Sequence, residues 1–253
     1  MAGLKPTLRI LPPDLPNDAR WNMAVDEALL EAGTAAVPTA RFYLWENPSV
    51  SVGYFQDPRA ALRVLDGRFE GCRVVRRPTG GGVVAHGEDL TIALIVPEAL
   101  AGLPAGVTDS YRAIHSVYLE ALKPFFGGLG FSGSSAGFRP RSERVCFEEP
   151  TAFDLERQGR KAAGSSQRRR GGVLLHHTSL ALVFESTEQR TDAVRAIARG
   201  LGLRFGLDEV EAGLSPEEIQ RAQVLMNGKY LEPRNTVCAD FVLTGGGAGN
   251  KIF

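Results

Sequence analysis

The chain has 253 residues, longer than the usual single-domain mode but within reach of one α/β domain that buries roughly three quarters of its unfolded surface. Its 29 basic and 29 acidic side chains cancel, which excludes a global positive field for gathering nucleic acid or anionic lipid and leaves any electrostatic partner to a local patch. The start, Met-Ala-Gly-Leu-Lys-Pro, has no apolar core of a signal peptide, no run of about 18 apolar residues could span a bilayer, and Cys72, Cys146 and Cys238 show no Cys-x-x-Cys spacing. The expectation is a cytoplasmic protein without a membrane segment, structural zinc or disulfides.

In chain order, residues 8–11 read as a short strand, and Asn17 or Asp18 caps a helix over 21–30 whose apolar residues fall at helical spacing. Residues 41–45 and 50–54 are β-rich and joined across Asn47-Pro48, a turn signal, and Pro58 opens a helix to about residue 69. A strand at 72–76, a glycine corner at 80–82 and a long apolar strand at 90–96 follow. Asp109 then caps a helix to about residue 125, while residues 127–152 carry almost no periodic pattern. Residues 159–167 and 173–184 pair as a hairpin around Arg168-Arg-Arg-Gly-Gly172, and helices near 191–201 and 216–229 close the fold. One domain over 1–244 is expected, with a flexible glycine-rich tail over 245–253.

Three segments carry chemistry. Cys146 sits in Arg139-Pro-Arg-Ser-Glu-Arg-Val-Cys146-Phe, a polar and basic setting unlike that of a packing cysteine, so it is a candidate nucleophile. Arg139, Arg141, Arg144 and Lys161 favour its thiolate, whereas Glu143, Glu148 and Glu149 oppose it. The second segment is Val75-Arg76-Arg77-Pro-Thr79-Gly80-Gly81-Gly82-Val-Val-Ala-His86, in which three glycines let the backbone approach a ligand closely or simply connect two strands. In the third, Gly159-Arg-Lys161-Ala-Ala-Gly164-Ser165-Ser-Gln167, alternation puts Lys161, Ala163, Ser165 and Gln167 on one strand face. Small residues beside a lysine leave room for a substrate chain; the alternative is an exposed hairpin with a surface lysine. His176 and His177 face opposite sides of their strand and are not expected to share a metal. His115 reads as a helix-surface or core residue, and Cys72 and Cys238 as packing residues.

In this order the segments resemble the lipoate-protein ligase A / lipoyl(octanoyl) transferase superfamily. The resemblance rests on Met23-Ala-Val-Asp26-Glu-Ala-Leu, Trp45 with Ser51-Val-Gly53-Tyr-Phe-Gln56, the Arg76 to Gly82 run with His86, Asp109-Ser110-Tyr111, and the Gly159 to Gln167 run. It implies the α/β catalytic-domain fold shared with biotin protein ligases, mixed β-sheets flanked by helices. Cys146-Phe147 shortly before the lysine strand looks like the cysteine-loop octanoyl-[acyl carrier protein]:protein N-octanoyltransferases. The resemblance then implies that Cys146 takes octanoyl from octanoyl-acyl carrier protein as a thioester and passes it to a lysine of a lipoyl domain, of the glycine cleavage H protein or E2 type. Lys161 would be the second catalytic residue. Arg76, Arg77, Thr79, Gly80, Gly81, Gly82, His86, Gly164, Ser165 and Gln167 would bind substrate, with no cofactor or metal. His177-Thr178 departs from the family's usual His-Gly. An ATP-dependent lipoate-protein ligase, an octanoyl amidotransferase between lipoyl domains, and a non-enzymatic binding module are the other readings.

Overall fold

The structure, a computed structural model, describes residues 6–33, 37–46, 48–65, 71–133 and 152–238. The strands are β1 (Thr7–Leu11), β2 (Thr39–Tyr43), β3 (Ser49–Val52), β4 (Arg73–Arg76), β5 (Val84–His86), β6 (Leu90–Pro97), β7 (Leu129–Phe131), β8 (Leu155–Arg157), β9 (Arg160–Arg170), β10 (Val173–Leu180), β11 (Asp208–Glu211) and β12 (Thr236–Cys238). Between them lie the helices α1 (Ala19–Glu31), α2 (Pro58–Leu65), α3 (Val107–Leu122), α4 (Thr187–Phe205) and α5 (Pro216–Asn227). Two mixed sheets result, one of eight strands in the order β11-β1-β2-β6-β10-β9-β8-β7 and one of four in the order β12-β4-β3-β5.

The large sheet is covered on both faces. Alternation of apolar and polar residues is absent from β6 for that reason: its run Leu-Thr-Ile-Ala-Leu-Ile-Val is buried at every position, as a strand between two helical layers must be. One layer packs α3 and α4 against Leu90, Ile92, Leu94 and Val96; the other packs α1 and α5 against Ala93, Ile95, Val173 and Leu175. Asp18 caps α1 through its carboxylate to the Arg20 N–H, and Ser215 with Glu218 forms a reciprocal capping box on α5, with Pro216 at its first turn. Gly171 and Gly172, both at positive φ (59° and 78°), make the tight turn that pairs β9 with β10 over eight residue pairs.

The strands on either side of Asn47-Pro48 belong to different sheets, β2 to the large one and β3 to the small one, where β3 lies parallel to β4 and antiparallel to β5. Two sequence expectations are corrected. Helix α3 is entered from Gly106 in extended conformation with no side-chain cap; Asp109 sits in the first turn, where its charge still complements the helix dipole. Cys238 is exposed on edge strand β12, whereas Cys72 is buried as expected. Residues 245–253 lie outside the described residues. Among the described residues no helix is long and apolar enough to cross a membrane.

Candidate active site

Strand β10 is the anomaly that marks the site. It is central and fully buried, yet its middle reads His176-His177-Thr178-Ser179. Buried polar side chains must be paired, so each of these specifies a partner on a neighbouring element. His177 meets α1, Ser179 the loop before β6, Thr178 strand β9, and His176 the α3 side of β9. On the α1 side a cleft opens between β9–β10 of the large sheet and the small sheet, lined among others by Ser51, Arg77, Gly81, His86, Lys161 and Ser166.

The glycine corner forms the cleft's wall by close backbone contact. A Cβ on Gly53 would overlap the Gly81 carbonyl oxygen and come within 2.9 Å of its carbon, and Gly81 itself sits at φ 92°, so both positions require glycine. Arg77, 5 % exposed, ties the corner together: its guanidinium donates to Gly80 O at 2.6 and 3.1 Å and to Ser51 O at 3.2 Å. Arg76 points elsewhere, donating to Arg234 O and Tyr54 O. The Arg76-Arg77 pair therefore divides, one residue facing the cleft and one clamping the segment before β12.

Lys161 is a buried cation. Its Nζ pairs with Asp154 at 2.9 Å, and its chain folds back over Gly164, where a Cβ would overlap Cε and lie 2.8 Å from Nζ. Asp154, 1 % exposed, also accepts from the Tyr111 hydroxyl, which in turn accepts the Ser165 N–H at 2.8 Å. The alternation expected for β9 is thus realised in part. Ser165 and Gln167 turn together toward α3, bonding His115 and Ser110, while Lys161, at a register shift between β8 and β9, lies against Gly164 and pairs with Asp154.

Two rows of hydrogen bonds run from cleft hydroxyls to buried carboxylates. In the first, Asp26 is fully buried and accepts from Arg41 Nη1 at 2.6 Å, Tyr43 Oη at 2.8 Å and His177 Nε2 at 2.9 Å. An ionised carboxylate only accepts, so His177 carries a hydrogen on Nε2, and its Nδ1 shares a hydrogen bond with the Thr79 hydroxyl at 3.0 Å. Thr79 then accepts from Ser166 at 2.8 Å. Burial pushes the Asp26 carboxyl up, but Arg41, His177 and Tyr43 together hold it below the ordinary carboxylate range. Burial and the neighbouring Asp26 charge push the Tyr43 phenol well up. The second row is Ser51, His86 and Asp89, at 2.8 and 2.9 Å, with the Trp45 indole stacked on His86 at 3.8 Å and 12°.

On the α3 side, His115, His176, Tyr111 and Tyr118 form a buried aromatic cluster behind Ser165 and Gln167. Burial pushes His115 down to about 4 and His176 well below its ordinary value. Both are neutral packing histidines. This agrees with the core reading of His115 and with the opposite facing of His176 and His177.

Of the sequence candidates, Arg77, Thr79, Gly81, His86, Lys161 and Gly164 come together at the cleft, with Thr79 reaching it through Ser166. Ser165 also lines the cleft while its hydroxyl bonds His115; Gly80 contributes a carbonyl to Arg77, and Arg76 and Gln167 serve the surrounding structure. Cys146, with Arg139, Arg141 and Arg144, lies outside the described residues. Of the arginines at the hairpin, Arg168 donates to Pro78 O and stacks over Tyr54, Arg169 bonds Glu98 and Ser110, and only Arg170 is exposed. Sequence reasoning assigned no site role to Asp26, Arg41, Tyr43, Ser51, Asp89, Asp154 or Ser166. The polar run in an otherwise apolar strand was the signal available for their partners.

Residues 18–198 match the lipoyl protein ligase A/B catalytic domain family. Octanoyltransferase LipM of Geobacillus kaustophilus is 39 % identical over 169 residues, 64 % of this chain and 61 % of that protein; its namesake from Staphylococcus aureus is 38 % identical over 174 residues, 64 % and 62 %. The chain thus spans about three fifths of the length of these curated relatives. Among solved structures, lipoate-protein ligase A bound with ATP superposes with a TM-score of 0.70 at 20 % identity, covering 90 % of this chain and 97 % of that one. A bi-partite lipoate protein ligase from Thermoplasma acidophilum, solved in a study of it and its E2 lipoyl domain, gives 0.64 at 22 %, covering 90 % and 94 %. The fold is that of the lipoate-protein ligases, and the chain belongs to the lipoyl protein ligase A/B catalytic domain family.

Proposed function

We propose that the protein is an octanoyltransferase that moves octanoyl from octanoyl-acyl carrier protein through a Cys146 thioester to the lysine of a lipoyl domain. The observation that carries this reading is the buried Lys161 ammonium in a cleft it shares with the Gly81 corner, a fixed positive charge for an acyl carbonyl oxygen. The octanoyltransferase name of relatives near 39 % identity selects the acyl group, and the E2 lipoyl domain studied with the T. acidophilum ligase supports the acceptor class. Asp154 holds the lysine in place and keeps it from reaching solvent.

The chemistry is two acyl exchanges. A Cys146 thiolate attacks the donor thioester and the carrier thiolate leaves; the acceptor amine then displaces Cys146, giving an amide. The cleft has a volume of about 60 Å³, so it receives the reacting carbonyl, while the octanoyl chain displaces side chains. Met23, unbranched and flexible, is a lining residue able to move.

The test is made without nucleotide. The purified protein should modify a lipoyl domain from octanoyl-acyl carrier protein with ATP and Mg²⁺ absent, and leave a hydroxylamine-labile octanoyl mass on the Cys146 peptide when the acceptor is omitted. Modification only from free octanoate or lipoate with ATP and Mg²⁺ would replace this reading with a ligase.

A further inference from the structure

Ser51, His86 and Asp89 form a row along one wall of the cleft, and the acyl-transfer reading above leaves it without a task. With the imidazole neutral, the carboxylate end sets the direction of the hydrogens along the row. Asp89, ionised, only accepts; it takes the Ser179 hydroxyl at 2.7 Å, the Gly87 N–H at 2.9 Å and the Thr91 hydroxyl at 3.2 Å. Thr91 can donate because its oxygen already receives the Trp45 indole N–H at 2.8 Å. His86 Nδ1, 2.9 Å from the same carboxylate, must therefore carry a hydrogen, which leaves the lone pair on Nε2. With Nε2 bare, the Ser51 hydroxyl 2.8 Å away donates to it, while the Ser51 oxygen accepts from Arg77 Nη1 at 3.2 Å. The stacked Trp45 ring keeps the imidazole in this plane. Hydroxyl, imidazole and carboxylate are thereby set in the sense of a base, with the hydroxyl at the cleft.

We propose that this row removes the proton from the attacking acceptor amine, Ser51 meeting the amine and His86 storing the charge. The proposal rests on the acyl-transfer reading. It follows from a difference between the two half-reactions. When a thiolate attacks a thioester, one C–S bond forms, one breaks, and no proton moves. When a neutral amine attacks the acyl-enzyme, the C–N bond leaves nitrogen positively charged, and unless it loses a proton the amine departs again in preference to sulfur. Here that proton passes to Ser51 Oγ as Ser51's own passes to His86 Nε2. The C–S bond breaks, Cys146 leaves as thiolate, and the imidazolium stands beside Asp89 until it releases its proton to water.

The alternatives in the cleft are less direct. Lys161 is engaged as a cation by Asp154, and His177, which also lines the cleft, has both ring nitrogens taken up, Nε2 by Asp26 and Nδ1 by Thr79. The ionisable groups that face His86 are Asp89 and, around the cleft, Arg77, Lys161, Tyr43 and His177. Ser51 would be the catalytic residue and Asp89 a positioning residue.

The experiment separates the half-reactions by rapid quench and intact mass, using octanoyl-acyl carrier protein first without and then with a lipoyl domain. Ser51→Ala and His86→Gln should form the acyl-enzyme within about threefold of the wild-type rate yet pass it on about a hundredfold more slowly, the usual scale for a lost general base. The rise of the second rate with pH should flatten in both. Glutamine can keep both contacts, carbonyl to Ser51 and amide to Asp89, so His86→Gln tests the base and not the scaffold. Equal losses in both half-reactions, or a second half-reaction with wild-type rate and pH dependence, would overturn the relay alone. A wild-type protein that transfers octanoyl without forming an acyl-enzyme would overturn the underlying reading and the relay with it.

Discussion

Acidification from pH 7.5 to 4.5 should unload the α3-side cluster, and its cost can be worked from His115. This histidine is fully buried, and burial pushes it from the ordinary 6.5 down to about 4, against the pull of Asp154. In the unfolded chain it takes a proton near 6.5, whereas in the fold it stays neutral until about 4. Between those values the unfolded state binds more protons, so stability is intact above 6.5 and falls as the pH drops. Over the full window one such group removes about 3 kcal/mol, at a limiting slope of about 1.4 kcal/mol per pH unit. His176 is displaced in the same direction by burial and by the neighbouring His115 and steepens the loss. Asp18, Asp26 and Asp89 are held below the ordinary 3.8, so their contributions are lost only at lower pH and do not enter this window. Urea unfolding at half-unit steps reads the slope directly. His115→Gln, which can still reach Ser165, should reduce it by about 1.4 kcal/mol per unit. A wild-type stability that is flat from pH 7 to 4.5, or a slope unchanged by His115→Gln, would refute the argument.

Other substitutions test the cleft. Gly53→Ala places a methyl against the Gly81 carbonyl and should cost about 1–3 kcal/mol in urea unfolding, together with activity. Gly164→Ala meets only the flexible end of Lys161, so the melting temperature should hold while transfer falls about tenfold or more as the ammonium is displaced. Lys161→Ala should lower kcat by on the order of a hundredfold, as for loss of an oxyanion donor; a near-normal rate would remove the lysine from the chemistry. Asp26→Ala strands Arg41 in the interior and should cost about 3–5 kcal/mol, part of which Arg41→Met in the same chain restores.

The elements that local chemistry specifies were legible. Asn17 or Asp18 before an apolar 3.6-residue pattern gave α1, Pro216 marked the start of α5, and Gly171-Gly172 between two strand-like runs gave the β9–β10 hairpin. The glycine corner and Lys161 were legible as motifs. What local pattern does not encode is pairing at long range: Asp26 sits in a helix that reads as core, and its partners Arg41, Tyr43 and His177 lie 15, 17 and 151 residues away. Asn47-Pro48 likewise signalled a change of direction but not the change of sheet that follows it, because the partners of β3 are set by β4 and β5. On β9, period-two alternation placed Ser165 and Gln167 correctly and missed the lysine, because the pairing of β8 with β9 shifts register between Leu155 and Glu156, opposite Lys161 to Ala163.

The segment matched to the family stops at residue 198, but the interior of that segment does not close there. Glu27 of α1, 4 % exposed, has its charge met by Lys229 at 2.5 and 2.7 Å and by the Tyr230 hydroxyl at 2.7 Å. Arg9 and Glu218 clasp β1 to α5 in a two-pronged pair, and β4 finds its outer neighbour in β12. A fragment cut at the end of the family match would therefore carry an unanswered carboxylate inside α1 and an open edge at β4, where Arg76 loses the Arg234 carbonyl it clamps. The unit by which relatives are recognised is smaller than the unit that folds.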